Sequence, residues 1–273
     1  MTTIKSFTKG HLLPTYFALT FAISWGVILI VVGPGGVPIT TDQVVALGMA
    51  MLLGPSVAGI LLTGLASGRA GLREFQSRLL RWRVGARWYA VALLTAPLST
   101  AAVLLALSLL APEFLPAIFT SDDKAALLLM GIAGGLMVGF FEELGWTGFA
   151  IPRLRQRYGV LTTGLMVGLL WGAWHFIMFW ESDSFSGALP LALLLARLFS
   201  WLPAYRVLMV WVYDRTESLL VAMLMHVSLV ASLMIIEPSL AGGGSLGLYP
   251  RTGRRAVGGC CSDRRGRPRG LTW

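Results

Sequence analysis

Residues 125–149 read AALLLMGIAGGLMVGFFEELGWTGF, and this stretch decides the class of fold. From Ala125 to Phe141 it contains no charged residue, and two adjacent glutamates, Glu142 and Glu143, follow. An α-helix rises 1.5 Å per residue, so about 20 apolar residues cross the hydrocarbon core of a membrane. The stretch therefore predicts a membrane-spanning helix that carries two carboxylates near one end.

The rest of the chain is equally apolar. It has 273 residues, of which 56% are hydrophobic and 13% are charged, and its mean hydropathy is +0.73. This composition excludes an ordinary soluble enzyme, a disordered chain and a secreted disulfide scaffold, because soluble domains carry about 25% charged residues. We expect an all-α, polytopic transmembrane helical bundle. Its seven predicted spans cover roughly 12–33, 44–66, 88–111, 125–149, 160–180, 188–213 and 218–236.

Basic and acidic loops alternate between these spans. By the positive-inside rule the N-terminus and the even-numbered loops face the cytoplasm, and we expect a multi-pass protein of the bacterial cytoplasmic membrane. The basic segments contain Lys5 and Lys9, then Arg69, Arg73, Arg78, Arg81, Arg83 and Arg87, then Arg153, Arg155 and Arg157, and finally Arg215. The acidic loops contain Asp42, then Glu113, Asp122 and Asp123 beside Lys124, then Glu181 and Asp183.

The basic stretch GLREFQSRLLRWRVGARW, residues 71–88, is interleaved with leucine, phenylalanine and tryptophan. Two interpretations remain open for it. It is either an interfacial helix on anionic lipid or a positive-inside loop with no further role.

Residues 238–273 break the pattern of the preceding chain. They hold seven arginines and one aspartate, a net charge of +6 out of the +9 of the whole chain, and both cysteines, Cys260 and Cys261. The segment is rich in glycine and arginine and has no apolar period, so it predicts an irregular tail. We therefore divide the chain into a membrane domain, 1–237, and this tail, which replaces a further span. No nucleic-acid partner is expected.

Ionisable groups within predicted spans are the candidates for chemistry, since charge is costly in hydrocarbon. These groups are Glu142, Glu143, His175, Arg197, Arg206 and His226. Adjacent carboxylates on a helix point about 100° apart, so one can face a cavity while the other anchors a neighbouring helix. A glutamate and two histidines suffice to hydrolyse an amide with an activated water. They are also a set that can bind zinc.

Other interpretations of these residues stay open at this point. The histidines are alternatively packed, hydrogen-bonded core residues, or the set conducts protons. The two arginines are candidates to neutralise the glutamates, while Arg206 alternatively extends to the interface. The sequence has no HExxH or GxSxG motif. The glycines of GIAGGLMVG indicate close helix packing, and Trp171 and Trp174 are assigned to packing.

At FFEELGWTGFAIPRL the chain resembles the CPBP family of intramembrane proteases, the group related to CAAX prenyl endopeptidases. The resemblance extends to GLLWGAWHFIMFW, to YDRTESLLVAMLMHVSL and to the basic SRLLRWRVGARWY, and covers roughly residues 40–235. It implies that Glu142 is the general base that activates water with His175, that Glu143 supports it, and that His226 is an oxyanion donor. It implies no certain cofactor, although a divalent metal such as zinc stays open.

Two positions depart from the motifs of that family. Thr147 stands where the first motif has arginine, and Val230 stands where the third has asparagine. Arg153 or another arginine can supply the first missing charge. The loss of an oxyanion donor costs a factor of about 100–1,000 in rate.

The sequence leaves three functional hypotheses. The first is an endopeptidase that acts on a peptide or protein substrate among the membrane lipids. The second is a catalytically silent relative that acts in peptide-toxin immunity or as a membrane scaffold. The third is a proton-coupled transporter.

The depths of the candidate residues do not agree for straight helices. Counted from the basic loops, Glu142 and His226 lie about 7 and 8 residues in, roughly 10–12 Å, whereas His175 lies about 15 residues in, roughly 22 Å. We therefore expect residues 147–164 to bend or re-enter the membrane, so that the fifth span effectively begins near Leu165.

Overall fold

The computed structural model describes residues 11–33 and 43–238, and within these ranges the regular elements are helices without any strand. The α-helices are α1 Leu12–Val32, α2 Val44–Met51, α3 Leu53–Leu79, α4 Ala86–Ser108, α5 Ala117–Thr120, α6 Lys124–Gly145, α7 Ile151–Leu154, α8 Val160–Phe179, α9 Ala188–Phe199, α10 Leu202–Thr216 and α11 Leu219–Ile236. A 3₁₀ turn lies at Pro112–Phe114 and a π-helical turn at Trp146–Ala150.

Seven helical segments of the described ranges are long and apolar enough to cross a membrane, which confirms the predicted multi-pass bundle. They are Leu12–Val32, Val45–Leu79, Ala86–Ser108, Lys124–Leu154, Val160–Phe179, Ala188–Thr216 and Leu219–Ile236. Two of them run further than the apolar pattern predicted. The second continues to Leu79, because arginine, glutamine and glutamate are good helix formers even though they are polar. The fourth continues to Leu154 through the π turn at Trp146–Ala150.

The second segment changes direction at Gly68, whose backbone lies at φ 56° and ψ −148°. Beyond it, residues 69–79 form a helical basic arm. Phe75 of this arm is buried against Leu144 and Met223, and Arg78 donates a hydrogen bond of 3.0 Å to the Tyr213 hydroxyl. Of the two interpretations of the basic stretch, a helix is therefore correct for residues 71–79. That helix is joined to the bundle and is more than a connecting loop.

Helices α6 and α11 meet along a seam of glycines, as the GIAGGLMVG pattern predicted. A Cβ atom placed on Gly135 would lie 2.7 Å from the Val227 carbonyl oxygen, and one placed on Gly139 would lie 2.7 Å from the Val227 nitrogen. Only glycine allows two backbones to approach this closely. The seam brings α11, which carries His226, against the helix that carries both glutamates.

Helices α8 and α10 form a second seam of the same kind. A Cβ atom on Gly164 would lie 2.4 Å from the Cα of Val207, and one on Gly168 would lie 2.5 Å from the Cα of Pro203. This contact fixes Arg206, on α10, beside Trp171 and His175 on α8. The two seams together position the four helices that surround the candidate site.

The described chain ends at Pro238, two residues after α11. The predicted irregular tail therefore lies outside the described residues, apart from Pro238 itself. The division into a membrane domain and a tail remains a prediction.

Candidate active site

The four candidate residues come from three helices. Glu142, His175 and His226 contact the indole of Trp171, and Glu143 joins them through its hydrogen bond with His226. The ring centroid of Trp171 lies 5.4 Å from that of His175 and 5.2 Å from that of His226. Its Nε1–H donates a hydrogen bond of 2.7 Å to Oε2 of Glu142. Trp171, which the sequence assigned to packing, is thus the centre of the cluster.

Glu142 is 1% exposed and is held by two indoles. In addition to Trp171, Trp146 donates its Nε1–H to the same oxygen, Oε2, at 3.2 Å. Both donors are neutral, so they orient the carboxylate without neutralising its charge. The second oxygen, Oε1, is not needed for these two bonds.

Glu143 is 0% exposed and joins four helical elements. Its Oε1 accepts hydrogen bonds of 2.7 Å from Nη1 of Arg206 on α10 and of 2.7 Å from Nδ1 of His226 on α11. Its Oε2 accepts from Nη1 of Arg206 at 3.0 Å and from the hydroxyl of Thr147 in the π turn. Glu143 is therefore the anchoring carboxylate of the pair.

Arg206 is 0% exposed, so the alternative in which it extends to the interface is wrong. It forms an ion pair with Glu143, and its guanidinium lies 4.1 Å from the ring centroid of Trp171. Arg197, the other candidate, lies 3.9 Å from Glu181 instead. Of the two arginines, Arg206 is thus the one that neutralises a glutamate of the cluster.

Thr147 stands where the first motif has arginine, and Glu143 nevertheless has partners for both of its oxygens. Thr147 binds Glu143 through its hydroxyl, and Arg206 supplies the positive charge from another helix. Arg153 does not supply the positive charge for Glu143. Its Nη1 donates to the Phe149 carbonyl at 2.9 Å, and its guanidinium lies over the Phe149 ring.

The hydrogen bond of His175 fixes which of its ring nitrogens carries the proton. Nδ1 lies 2.8 Å from the carbonyl oxygen of Trp171. Because a carbonyl only accepts, Nδ1 must be the donor, and in the neutral ring Nε2 keeps its lone pair. The ring packs between Trp174 and Phe179, at centroid distances of 4.9 and 5.6 Å. His175 can therefore accept a proton or a hydrogen bond at Nε2.

The expected start of the fifth span near Leu165 is wrong, because α8 begins at Val160. The depths agree for a different reason, which is that the fourth segment continues through the π turn to Leu154. Glu142 therefore lies twelve residues, roughly 18 Å, from the end of its segment, close to the 22 Å of His175. Counting for His226 also fails, since Ser218 at the start of α11 is itself fully buried.

The contacts of these side chains limit which of them could bind a metal ion. Across residues 11–33 and 43–238, no group of three histidine, cysteine, aspartate or glutamate side chains is arranged to hold a metal ion. Both oxygens of Glu143 and Nδ1 of His226 are already engaged with each other, with Arg206 and with Thr147. Glu143 and Nδ1 of His226 are therefore not available as zinc ligands, and zinc remains an expectation from the sequence.

A spacing of four residues could have revealed the supporting groups in the sequence. Trp146 follows Glu142, Thr147 follows Glu143, and His175 follows Trp171, each by four positions, and each pair is hydrogen-bonded. Residues four apart lie on one face of a helix. The contacts of Trp171 with Glu142 and of Arg206 with Glu143 join different helices, and no local spacing indicates them.

Comparison with known proteins agrees with the resemblance in the motifs. Residues 124–232 match the family model described as Type II CAAX prenyl endopeptidase Rce1-like. The chain is also 33% identical over 67 residues to CAAX prenyl protease 2 of Methanococcus maripaludis, an alignment that covers 24% of this chain and 23% of that protein. The matched family segment holds Glu142, Glu143, His175, Arg206 and His226. The segment that carries the candidate residues is therefore similar to the Rce1-like family of CAAX prenyl endopeptidases, and the alignment with the curated relative spans less than a quarter of either protein.

Proposed function

We propose that the protein is an intramembrane endopeptidase that hydrolyses membrane-associated peptides with a water activated by Glu142 and His175. The observation that carries the proposal is the unequal treatment of the two carboxylates. Glu143 is neutralised by Arg206 and bound to His226, whereas Glu142 is held at one oxygen by two neutral indoles. Two carboxylates in different surroundings can take different roles.

In the first step Glu142 acts as the general base. It takes a proton from a water molecule whose oxygen attacks the scissile carbonyl carbon, and the carbonyl oxygen becomes an oxyanion. Nε2 of His175 accepts a hydrogen bond from the same water and orients it. Glu142 then returns the proton to the amide nitrogen, the C–N bond breaks, and a carboxylate and an amine leave.

His226 supports the oxyanion in this scheme. Its Nδ1–H donates to Glu143, which leaves Nε2 as the ring nitrogen that can serve the substrate, and in the protonated ring Nε2 carries an N–H as well. That N–H is the donor for the developing charge, so the asparagine missing at position 230 leaves His226 as the main side-chain donor. Arg206 keeps Glu143 ionised and in place, which makes Arg206 a positioning residue.

The substrate is proposed only as a class. The relative is named for prenylated CAAX substrates, and this chain aligns with less than a quarter of its length. The buried position of the cluster within a bundle of spans favours a substrate segment that is itself in or at the membrane. Both prenylated and unmodified membrane peptides are therefore candidates.

The test is cleavage in liposomes that contain the purified protein and either a farnesylated CAAX peptide or a library of unmodified transmembrane peptides, with mass spectrometry of the products. We expect cleavage by the wild type and none by Glu142→Gln, with Glu113→Gln as the matched control at an exposed acid. No cleavage by wild type with every peptide would favour the silent relative. Proton flux without cleavage would favour the transporter.

A further inference from the structure

A groove between α4 and α10, away from the glutamate cluster, is lined by basic and aromatic side chains. Its cavity of about 330 Å³ is lined by Arg87, Trp88, Val91, Trp211 and Arg215. The two arginines stand at the start of α4 and near the end of α10. The groove therefore opens at the same end of the bundle as the basic loops.

The two arginines of this groove are not neutralised by the acids nearby. Glu74 pairs with Arg78, Asp214 with Arg155 and Glu217 with Arg81. Of the ion pairs within the described part of the chain, none includes Arg87 or Arg215. Two positive charges thus share one cavity, and neither forms an ion pair with an acid of residues 11–33 or 43–238.

The walls of the groove are aromatic. The guanidinium of Arg87 lies 5.2 Å from the ring centroid of Trp88, and Trp88 meets Trp211 edge to face at 5.1 Å. Tryptophan prefers the boundary between lipid headgroups and acyl chains, because its ring is apolar and its N–H is polar. This pair indicates the depth at which headgroups begin.

An apolar stripe continues from the groove along α4. Val91, Leu94, Leu98 and Leu105 follow Arg87 at helical spacings of three, four or seven residues and so share its face. The three leucines are exposed on the protein surface. A ligand that fits both parts has an anionic head and a long apolar tail.

We propose that this groove binds the phosphate headgroup of an anionic phospholipid, with Arg87 and Arg215 on the phosphate and an acyl chain along the stripe of α4. Basic pockets between membrane helices are suited to such headgroups. Trp88 and Trp211 pack against the glycerol region. The site is separate from the glutamate cluster, and it does not depend on the proposed peptidase function.

The test is native mass spectrometry of the purified full-length protein in detergent, titrated with phosphatidylglycerol or with phosphatidylcholine of the same acyl chains. We expect tighter binding of phosphatidylglycerol by wild type. Arg87→Gln/Arg215→Gln should raise its apparent Kd about 30-fold, since each arginine near a headgroup contributes about 1 kcal/mol. The control is Arg83→Gln/Arg157→Gln, which removes two exposed arginines outside the groove, one of which also lies over a tryptophan.

Melting temperatures of the variants, measured without lipid, separate loss of binding from loss of fold. An equal rise in Kd for both double variants would overturn the proposal, because it would indicate general surface attraction. Equal binding of the two lipids by wild type would do so as well. Displacement of phosphatidylglycerol by millimolar inorganic phosphate would assign the site to a free anion instead of a lipid.

Discussion

Two parts of α6, residues 131–139 and residues 142–145, meet their neighbours in opposite ways. Residues 131–139 present glycines, and they contact α11 through backbone and apolar side chains. Residues 142–145 begin with two carboxylates that receive hydrogen bonds from α8, α10, α11 and the π turn. The first part packs by shape and the second by polar contacts.

The difference shows which contact depends on the other. A Cβ atom on Gly139 would lie 2.7 Å from the nitrogen of Val227, the residue that follows His226. The hydrogen bond of 2.7 Å between His226 and Glu143 forms only if α6 and α11 hold these two side chains at a fixed distance. The glycine part therefore sets the helix separation on which the polar part relies, and variants of each part should separate the two contributions.

The largest expected effect is on catalysis alone. Glu142→Gln keeps the volume and removes the base, so kcat for the peptide found by the cleavage screen should fall by a factor of about 100–10,000. The melting temperature should change little, because the side chain still accepts from the indoles. Kinetics and thermal unfolding in detergent measure the two quantities. Full activity in this variant would remove Glu142 as the base.

The next effect is on stability and concerns the anchoring carboxylate. Arg206→Met should lower the free energy of unfolding by about 3–5 kcal/mol, because it leaves the charge of Glu143 buried and unpaired. Adding Glu143→Gln removes that charge, so the double variant should recover a large part of the loss. Denaturant unfolding of the two single variants and the double variant gives the coupling energy. Simple additivity would mean that the ion pair contributes nothing specific.

A smaller effect tests the glycine seam. Gly139→Ala should cost about 1–3 kcal/mol of stability through overpacking, and it should also lower activity by moving His226 from Glu143. Gly26→Ala is the matched control in another membrane helix, since nothing lies within 4 Å of the Cβ position there. If Gly139→Ala loses stability but keeps full activity, then the seam does not set the polar contact.

The smallest effect is expected at position 230. Val230→Asn places an amide one helical turn after His226, and it should preserve kcat or raise it by about tenfold or less. A donor that is added without its surrounding geometry captures only part of the factor of about 100–1,000 of a native oxyanion donor. Steady-state kinetics of a well-folded variant checks this. A loss of activity would show that Val230 shapes the substrate site.

Much of the fold could be predicted because hydropathy reports burial in lipid directly. The seven spans and the close packing at GIAGGLMVG follow from composition alone. The ends of two helices did not, since residues 67–79 and 150–154 are polar or mixed and hydropathy does not report helicity. The sequence therefore left the form of the basic stretch open between a helix and a loop, and it did not indicate that the segment of Glu142 continues to Leu154.

The candidate residues could be identified from the sequence because ionisable groups within membrane spans are energetically costly. Their hydrogen-bond partners could not be identified in this way. Glu142 and Glu143 differ by a rotation of about 100°, and the sequence does not state which helix lies on which side. Arg197 and Arg206 are equivalent candidates by composition. The packing of Gly168 against Pro203 decides between them, since it places Arg206 beside the site.

The π turn at Trp146–Ala150 has a consequence for changes in chain length. A π turn holds one residue more than an α-helical turn, and it takes up that residue locally while the helix on either side keeps its phase. Arg155, just after α7, pairs with Asp214 at 2.7 Å, whereas Glu142 and Glu143 lie before the turn. A single deletion at Phe149 can therefore be absorbed by conversion of the π turn into an α-helical turn, which keeps Arg155 beside Asp214 and both carboxylates in phase with α6. The turn thus gives this segment a place where its length can change by one residue without disturbing the carboxylates before it or the Arg155–Asp214 ion pair after it.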